Sequence, residues 1–289
     1  MPVKPAPSGK TAVVALLSLI FSVTPLNLFT APAAQNIENL DTILPLLAEY
    51  CSRFADASLN YICMEEIHET IYTPPRALSY SYRGFREHNR YVYDYQLIYK
   101  DGLYKERRIL VKENGNDTNE QNAPLKVKRS PYEYLIAGPI GLFSDYWQPF
   151  YDYTILKTAR LKGQKVWVID VKPKPGVKHQ YLYGKAWIST DNLSVQKIEY
   201  NQKALRNIQE IQKSAEDVGM APDITIVTEF AYEKNGIRFP SDCTISENYM
   251  RSNSRGGQST LKYQKSKLII TYSDYKFFTV ETQVDIKRK

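Results

Sequence analysis

The chain has 289 residues, 43% hydrophobic and 24% charged, with 13 Gly and 16 Pro. That composition is globular and excludes a collagen-like, low-complexity or wholly disordered chain. A formal net charge of +7 suits an acidic partner or an anionic membrane face, and falls short of a nucleic-acid binder. Tyr is over-represented, at 23 against 10 Phe and 3 Trp. Its ring is apolar and its tip polar, so it favours strands and half-wet surfaces.

The first segment reads as an address. Lys4 and Lys10 form a basic start, Val13 to Val23 is apolar, Pro25 breaks the run, and Ala31-Pro32-Ala33-Ala34 follows. This is the layout of a secretory signal with cleavage near Ala33 or Ala34. A spanning helix needs about 20 apolar residues, more than this run supplies. The expected organisation is a cleaved signal over residues 1–34 and one β-rich domain over 35–289, placed in the periplasm or secreted. Export permits disulfides. Cys51 and Cys63 are the expected pair; the other reading makes these two and Cys243 small buried hydrophobes.

Residues 37–57 predict one amphipathic helix. Ile43, Leu46, Leu47, Tyr50 and Phe54 recur on one face, with Asp41 near the start as cap. The period then changes to two. Tyr61–Tyr72 is the first strand. Residues 91–99 alternate most cleanly, with Tyr91, Tyr93, Tyr95, Leu97 and Tyr99 on one face. Lys100-Asp101-Gly102 predicts a hairpin turn and Leu103–Lys112 the return strand. Residues 113–123 are polar and read as a mobile loop. Residues 130–150 are apolar and aromatic but interrupted by Gly and Pro, which predicts a short helix and a lid-like segment.

Strands resume at Tyr151–Ala159, Val166–Lys172, Gln180–Ser189 and Leu193–Asn201, with a short helix near Ala204–Ala215. Ile224–Lys234 and Ile237–Tyr249 flank Asn235-Gly236, a strong hairpin signal. A polar loop at 251–258 precedes Leu261–Tyr272 and Phe277–Lys287. About eleven strands with short turns predict an α+β domain. Its expected architecture is a strongly curved antiparallel sheet with helices against the concave face.

Little in the sequence carries catalytic chemistry. The only His are His68, His88 and His179, and no nucleophile elbow, phosphate loop or dinucleotide fingerprint occurs. Glu65, Glu66, His68 and Glu69 are the densest potential ligand set; without a second cluster they read as a solvated strand face, so no metal or cofactor is expected. The tyrosine face reads as sheet core or as the wall of an apolar cavity made by Tyr91, Tyr93, Tyr95 and Leu97, with Trp187 and Phe230. Leu142, Phe143 and Trp147 are the lid candidates. Lys157, Arg160, Lys162, Lys165, Lys172, Lys174 and Lys178 oppose a single acid, Asp170. They read as solvated turns, or as a patch for anionic head groups in which Lys165, Lys172, Lys174 and Lys178 face the membrane.

Three segments carry a family resemblance: Gly184 to Glu199, which holds Trp187 and Val195; Phe230 to Ser241, which holds Gly236, Phe239 and Pro240; and Tyr275 to Glu281. Over most of residues 37–289 the chain resembles the periplasmic lipoprotein-carrier superfamily, whose members include the LolA carrier and the RseB regulator. The resemblance implies an unclosed half-barrel with helices on its concave face. For the carrier it implies a cavity for the acyl chains of a lipoprotein; for the regulator, a sensor of envelope state. The expectation is therefore a non-catalytic envelope protein that binds a lipid or acylated protein, or a regulator that contacts a membrane partner through its convex face or residues 130–150.

Overall fold

The computed structural model describes residues 39–72, 86–100, 103–128, 137–177, 182–205, 208–217, 219–252 and 260–278. The expected signal segment and cleavage site, the expected Asp101-Gly102 turn, residues 131–136, Lys178, His179 and the chain beyond 278 lie outside the described residues. Those described fall within one compact unit, Ile37–Lys289.

Helix α1 spans Leu40–Ser58. Its cap is Asn39, not Asp41: the Asn39 side chain accepts the Asp41 backbone N–H at 3.0 Å. Pro45 sits in the early helix, and Ile43, Leu47, Tyr50, Cys51 and Phe54 are buried along one stripe. Ser58 ends the helix by donating to the Phe54 carbonyl at 2.6 Å.

Strands β1 (Tyr61–Tyr72), β2 (Arg86–Lys100), β3 (Leu103–Glu113) and β4 (Asn116–Gln121) form a meander. Strand β4 corrects the expected loop at 113–123. Asn114 and Gly115 adopt φ of 51° and 87°, the conformation of a tight hairpin, so the polar run after them pairs with β3. Helix α2 (Gly138–Phe143) and a 3₁₀ turn at Gln148–Phe150 precede the hairpin of β5 (Tyr151–Leu161) and β6 (Gln164–Pro173). Then come β7 (Gly184–Ser189), β8 (Val195–Tyr200), helix α3 (Ile208–Glu216) and β9 (Ala221–Glu229). Gly184 is required by closeness: a Cβ there would lie 2.1 Å from the Glu199 carbonyl oxygen.

The expected hairpin about Asn235-Gly236 divides. Short strands β10 (Tyr232–Lys234) and β11 (Ile237–Phe239) pair only with each other, and Pro240 separates them from β12 (Asp242–Ser252). Strand β13 (Thr260–Phe277) runs past the expected end at Tyr272, and the last expected strand, Phe277–Lys287, lies outside the described residues beyond residue 278. A bulge opposite Ile62–Met64, with Asp274 at φ 52°, lets it continue past Tyr272 rather than turn.

Eleven strands form one antiparallel sheet in the order β4-β3-β2-β1-β13-β12-β9-β8-β7-β6-β5. Its two ends do not meet, so the fold is an unclosed half-barrel with few helices. Alternation sends Tyr61, Cys63, Glu65 and Ile67 of β1 to the same face as Tyr91, Tyr93, Tyr95 and Leu97 of β2, the face on which α1 and α2 pack.

Candidate functional site

The helix-covered face of the half-barrel is the place where a ligand is expected, and it is filled with side chains. Phe54, Tyr61, Tyr93, Tyr95, Phe143, Phe230 and Phe239 are all under 2% exposed. Tyr61 meets Phe239 edge-on at 5.3 Å, and Phe54 stacks on Phe239 at 5.7 Å. The expected cavity residues Tyr91, Tyr93, Tyr95, Leu97 and Phe230 are therefore core. Trp187 is placed on the opposite face: Ala186 and Ile188 take the core side, and the Lys197 ammonium lies 4.3 Å from the Trp187 ring centre. Even spacing within the strand decides this, since neighbours point to opposite faces.

A polar cluster that sequence reading passed over lies within this face. In place of the solvated strand face expected for Glu65, Glu66, His68 and Glu69, alternation buries Glu65 and Glu69 and exposes His68. Arg108 Nε donates to Glu65 Oε2 at 2.6 Å and Nη2 to Glu65 Oε1 at 3.1 Å, while Nη1 donates to Glu106 Oε2 at 2.9 Å. The hydroxyls of Tyr272 and Tyr95 donate to Glu65 and Glu106, each at 3.1 Å. Burial opposes the Arg108 charge, and the Glu65 carboxylate outweighs it, so its pKa lies above the ordinary arginine value. The space beside these groups, lined also by Leu125, Leu268 and Ile270, is about 10 Å³. That is near the minimum for one water and far too small for a hydrocarbon tail. With both Glu65 oxygens held by Arg108, the cluster is a clamp between strands more than a free acid or base. The signal that would have found it is the period of two: Glu65 stands two residues from Cys63 and Ile67, both core.

On the other face, Glu66 Oε1 accepts from Arg90 Nε at 2.8 Å and meets His68 Nε2 at 2.5 Å. The Arg90 guanidinium holds the Glu66 carboxyl below its usual range. No group of three or more metal-ligating side chains occurs among the described residues.

The lid candidates separate. Leu142 and Phe143 are fully buried; Phe143 stacks on Tyr153 at 5.9 Å, and the Tyr153 hydroxyl donates to the Leu142 carbonyl at 2.6 Å. Cys51 Sγ donates to the Pro139 carbonyl at 3.2 Å, joining α1 to α2. The expected Cys51–Cys63 bridge is absent, since Cys51, Cys63 and Cys243 are all free and buried. Helix α1 turns Cys51 toward α2, whereas Cys63 packs beside Tyr95 in the sheet.

Trp147 is half-buried against the core and belongs to an aromatic group that reaches the surface at Tyr146. Tyr146 is 68% exposed and meets Trp147 edge-on at 4.7 Å, and Trp147 lies 5.8 Å from Phe150. Lys174 Nζ donates to the Pro149 carbonyl at 2.9 Å, which sets one ammonium beside these rings. The expected basic patch is not continuous. Lys165 and Lys174 occupy opposite ends of β6, about 30 Å apart at strand spacing. Lys172 is paired to Asp170 at 2.7 Å, and Lys178 lies outside the described residues.

A family model described as "Uncharacterized protein" matches residues 143–282. No curated protein matches the chain. Among solved structures, the chain is similar to a putative outer membrane lipoprotein-sorting protein domain from Vibrio parahaemolyticus, at 13% identity over 85% of this chain and 96% of that one, TM-score 0.38. A LolA superfamily protein from Nitrosomonas europaea is 10% identical over 82% and 94%, TM-score 0.34. The MucA/MucB complex of Pseudomonas aeruginosa is matched at 11% identity over 81% and 99%, TM-score 0.22.

Proposed function

We propose that this chain is an exported, non-catalytic binding protein of the cell envelope that recognises a membrane-associated partner through its surface. The aromatic turn Tyr146–Phe150, with Lys174 beside it, is the recognition element. The observation that supports this is the packing of the half-barrel. Its inward rings pack against one another, with about 10 Å³ free beside Glu65 and Arg108, while Tyr146 stands 68% exposed on the outside. Tyr and Trp suit such a role because they combine a large apolar area with a polar tip and few rotamers. Export rests on the order of charges and apolar residues in the first 34 positions.

A second reading keeps an acylated ligand. It rests on the attachment of α1, which holds the core chiefly through five apolar or aromatic side chains. Lifting it exposes on the order of 10 kcal/mol of apolar burial, and a C16 chain entering in its place gains a similar amount. Ligand and helix would then compete for one wall.

Lipid extraction and native mass spectrometry on protein purified from the envelope, with cross-linking to capture neighbours, separate the two. Surface recognition predicts no stoichiometric lipid and a cross-linked membrane protein that is lost in Tyr146→Ser/Trp147→Ser. A lipid bound one to one, with cross-links unaffected by those substitutions, would overturn it in favour of the acyl reading.

A further inference from the structure

The main sheet has two edges, and they differ. Strand β4 is six residues, all polar, which is a blunted edge. Strand β5 is eleven residues without Pro, and β6 is its one neighbour among the described residues. Leu156 on β5 is 48% exposed, and Lys157 and Thr158 after it are exposed as well.

The hydrogen-bond phase of β5 can be worked out from both ends. Lys174 N donates to the Phe150 carbonyl at 3.0 Å, which makes Phe150, Asp152 and Thr154 the residues bonded to β6. Tyr153 and Ile155 therefore aim their N–H and C=O outward. At the other end Lys162 and Gly163, at φ of 48° and 86°, close a two-residue turn on the bonded pair Leu161–Gln164. Counting back, Ala159 and Lys157 are bonded to β6, and Arg160 and Thr158 aim outward. The Lys165 carbonyl, opposite Arg160, is taken by Thr190 N at 3.1 Å on β7, as this phase requires. The bulge between Ile155 and Lys157 is where the phase switches.

We propose that β5 pairs antiparallel with β5 of a second copy of this chain, about a two-fold axis between Ile155 and Leu156. A bulge usually turns an edge away from partners; here the phase switch makes the two arms of the strand complementary to each other. With the axis at the bulge, Tyr153 faces the partner copy's Thr158, and both have outward backbone groups. Asp152 then faces Ala159, and Thr154 faces Lys157, all on the face away from the core. Asp152 comes diagonally next to Lys157, a pairing of opposite charges made twice by symmetry. The apolar pair Ile155 and Leu156 meets its copy at the centre. No register with the axis away from the bulge keeps outward groups opposite one another on both arms.

Sedimentation velocity of purified protein over a wide concentration range tests this. The wild type should show a concentration-dependent monomer–dimer equilibrium. Thr158→Pro removes an N–H that β6 does not use, so circular dichroism should be unchanged while dimerisation weakens at least about tenfold. Leu156→Asp, at an exposed side chain, sets two like charges at the axis and should do the same; it decides the matter alone if the proline variant does not fold. A wild type that stays monomeric at every concentration, or folded variants that dimerise as the wild type does, overturns the proposal. Loss of the partner-recognition reading would leave this result untouched, because Tyr146 and Trp147 lie outside the paired strand.

Discussion

Arg108 on β3 grips Glu65 on β1 across the whole width of β2, with Nε to Oε2 at 2.6 Å and Nη2 to Oε1 at 3.1 Å. The pair lies within the aromatic core, where Glu65 is 1% exposed. It ties three strands at the depth where a half-barrel meant to hold a ligand permanently would be hollow.

Breaking that grip should be costly. Arg108→Met leaves Glu65 and Glu106 without their cation, and urea unfolding should register a loss of about 3–5 kcal/mol. Replacing both partners, Arg108→Met with Glu65→Met, should recover much of it, because no lone buried carboxylate then remains at position 65. A single variant as stable as the wild type would refute the clamp.

The thiols offer a chemical check on the fold. Burial pushes the Cys51 and Cys63 thiols up, and that of Cys243 to about 12. Alkylation without reductant should leave the folded protein unlabelled and modify all three cysteines after unfolding. Only one modified cysteine after unfolding would mean that a bridge exists.

High pH should unfold the protein steeply. Burial pushes Tyr50 and Tyr93 up to about 12, and lifts Tyr61, Tyr95, Tyr272 and Tyr275 well above the ordinary 10.0. These phenols keep their protons in the fold and lose them in the unfolded chain near pH 10. Their stabilising contribution is thus complete below that pH and declines as pH rises through 10 toward 12 and beyond. Circular dichroism should be lost together with a late step in phenolate absorbance from these six rings, after the exposed tyrosines such as Tyr146 have ionised; ionisation of all 23 tyrosines while the fold persists would contradict the burial of these rings.

Much of the fold was legible in the chain itself. The three-and-four spacing of Ile43, Leu47, Tyr50 and Phe54 gives α1, and the alternation of Tyr91 to Leu97 gives the buried face of β2, because both patterns repeat the geometry of the element that carries them. Residues 113–123 read as a loop because the run after Asn114-Gly115 is polar throughout, and an edge strand needs no apolar face to pair. The long β13 was hidden because its continuation past Tyr272 depends on a bulge against β1, a contact between residues some two hundred apart. Local order and the antiparallel meander were thus legible in the chain, since each depends on neighbours in it. Tertiary structure alone decided that the inward rings fill the hollow, that Glu65 meets Arg108 and that Lys165 and Lys174 are far apart. Those outcomes turn on volume and distance between strands remote in sequence, and a periodicity carries no information about either.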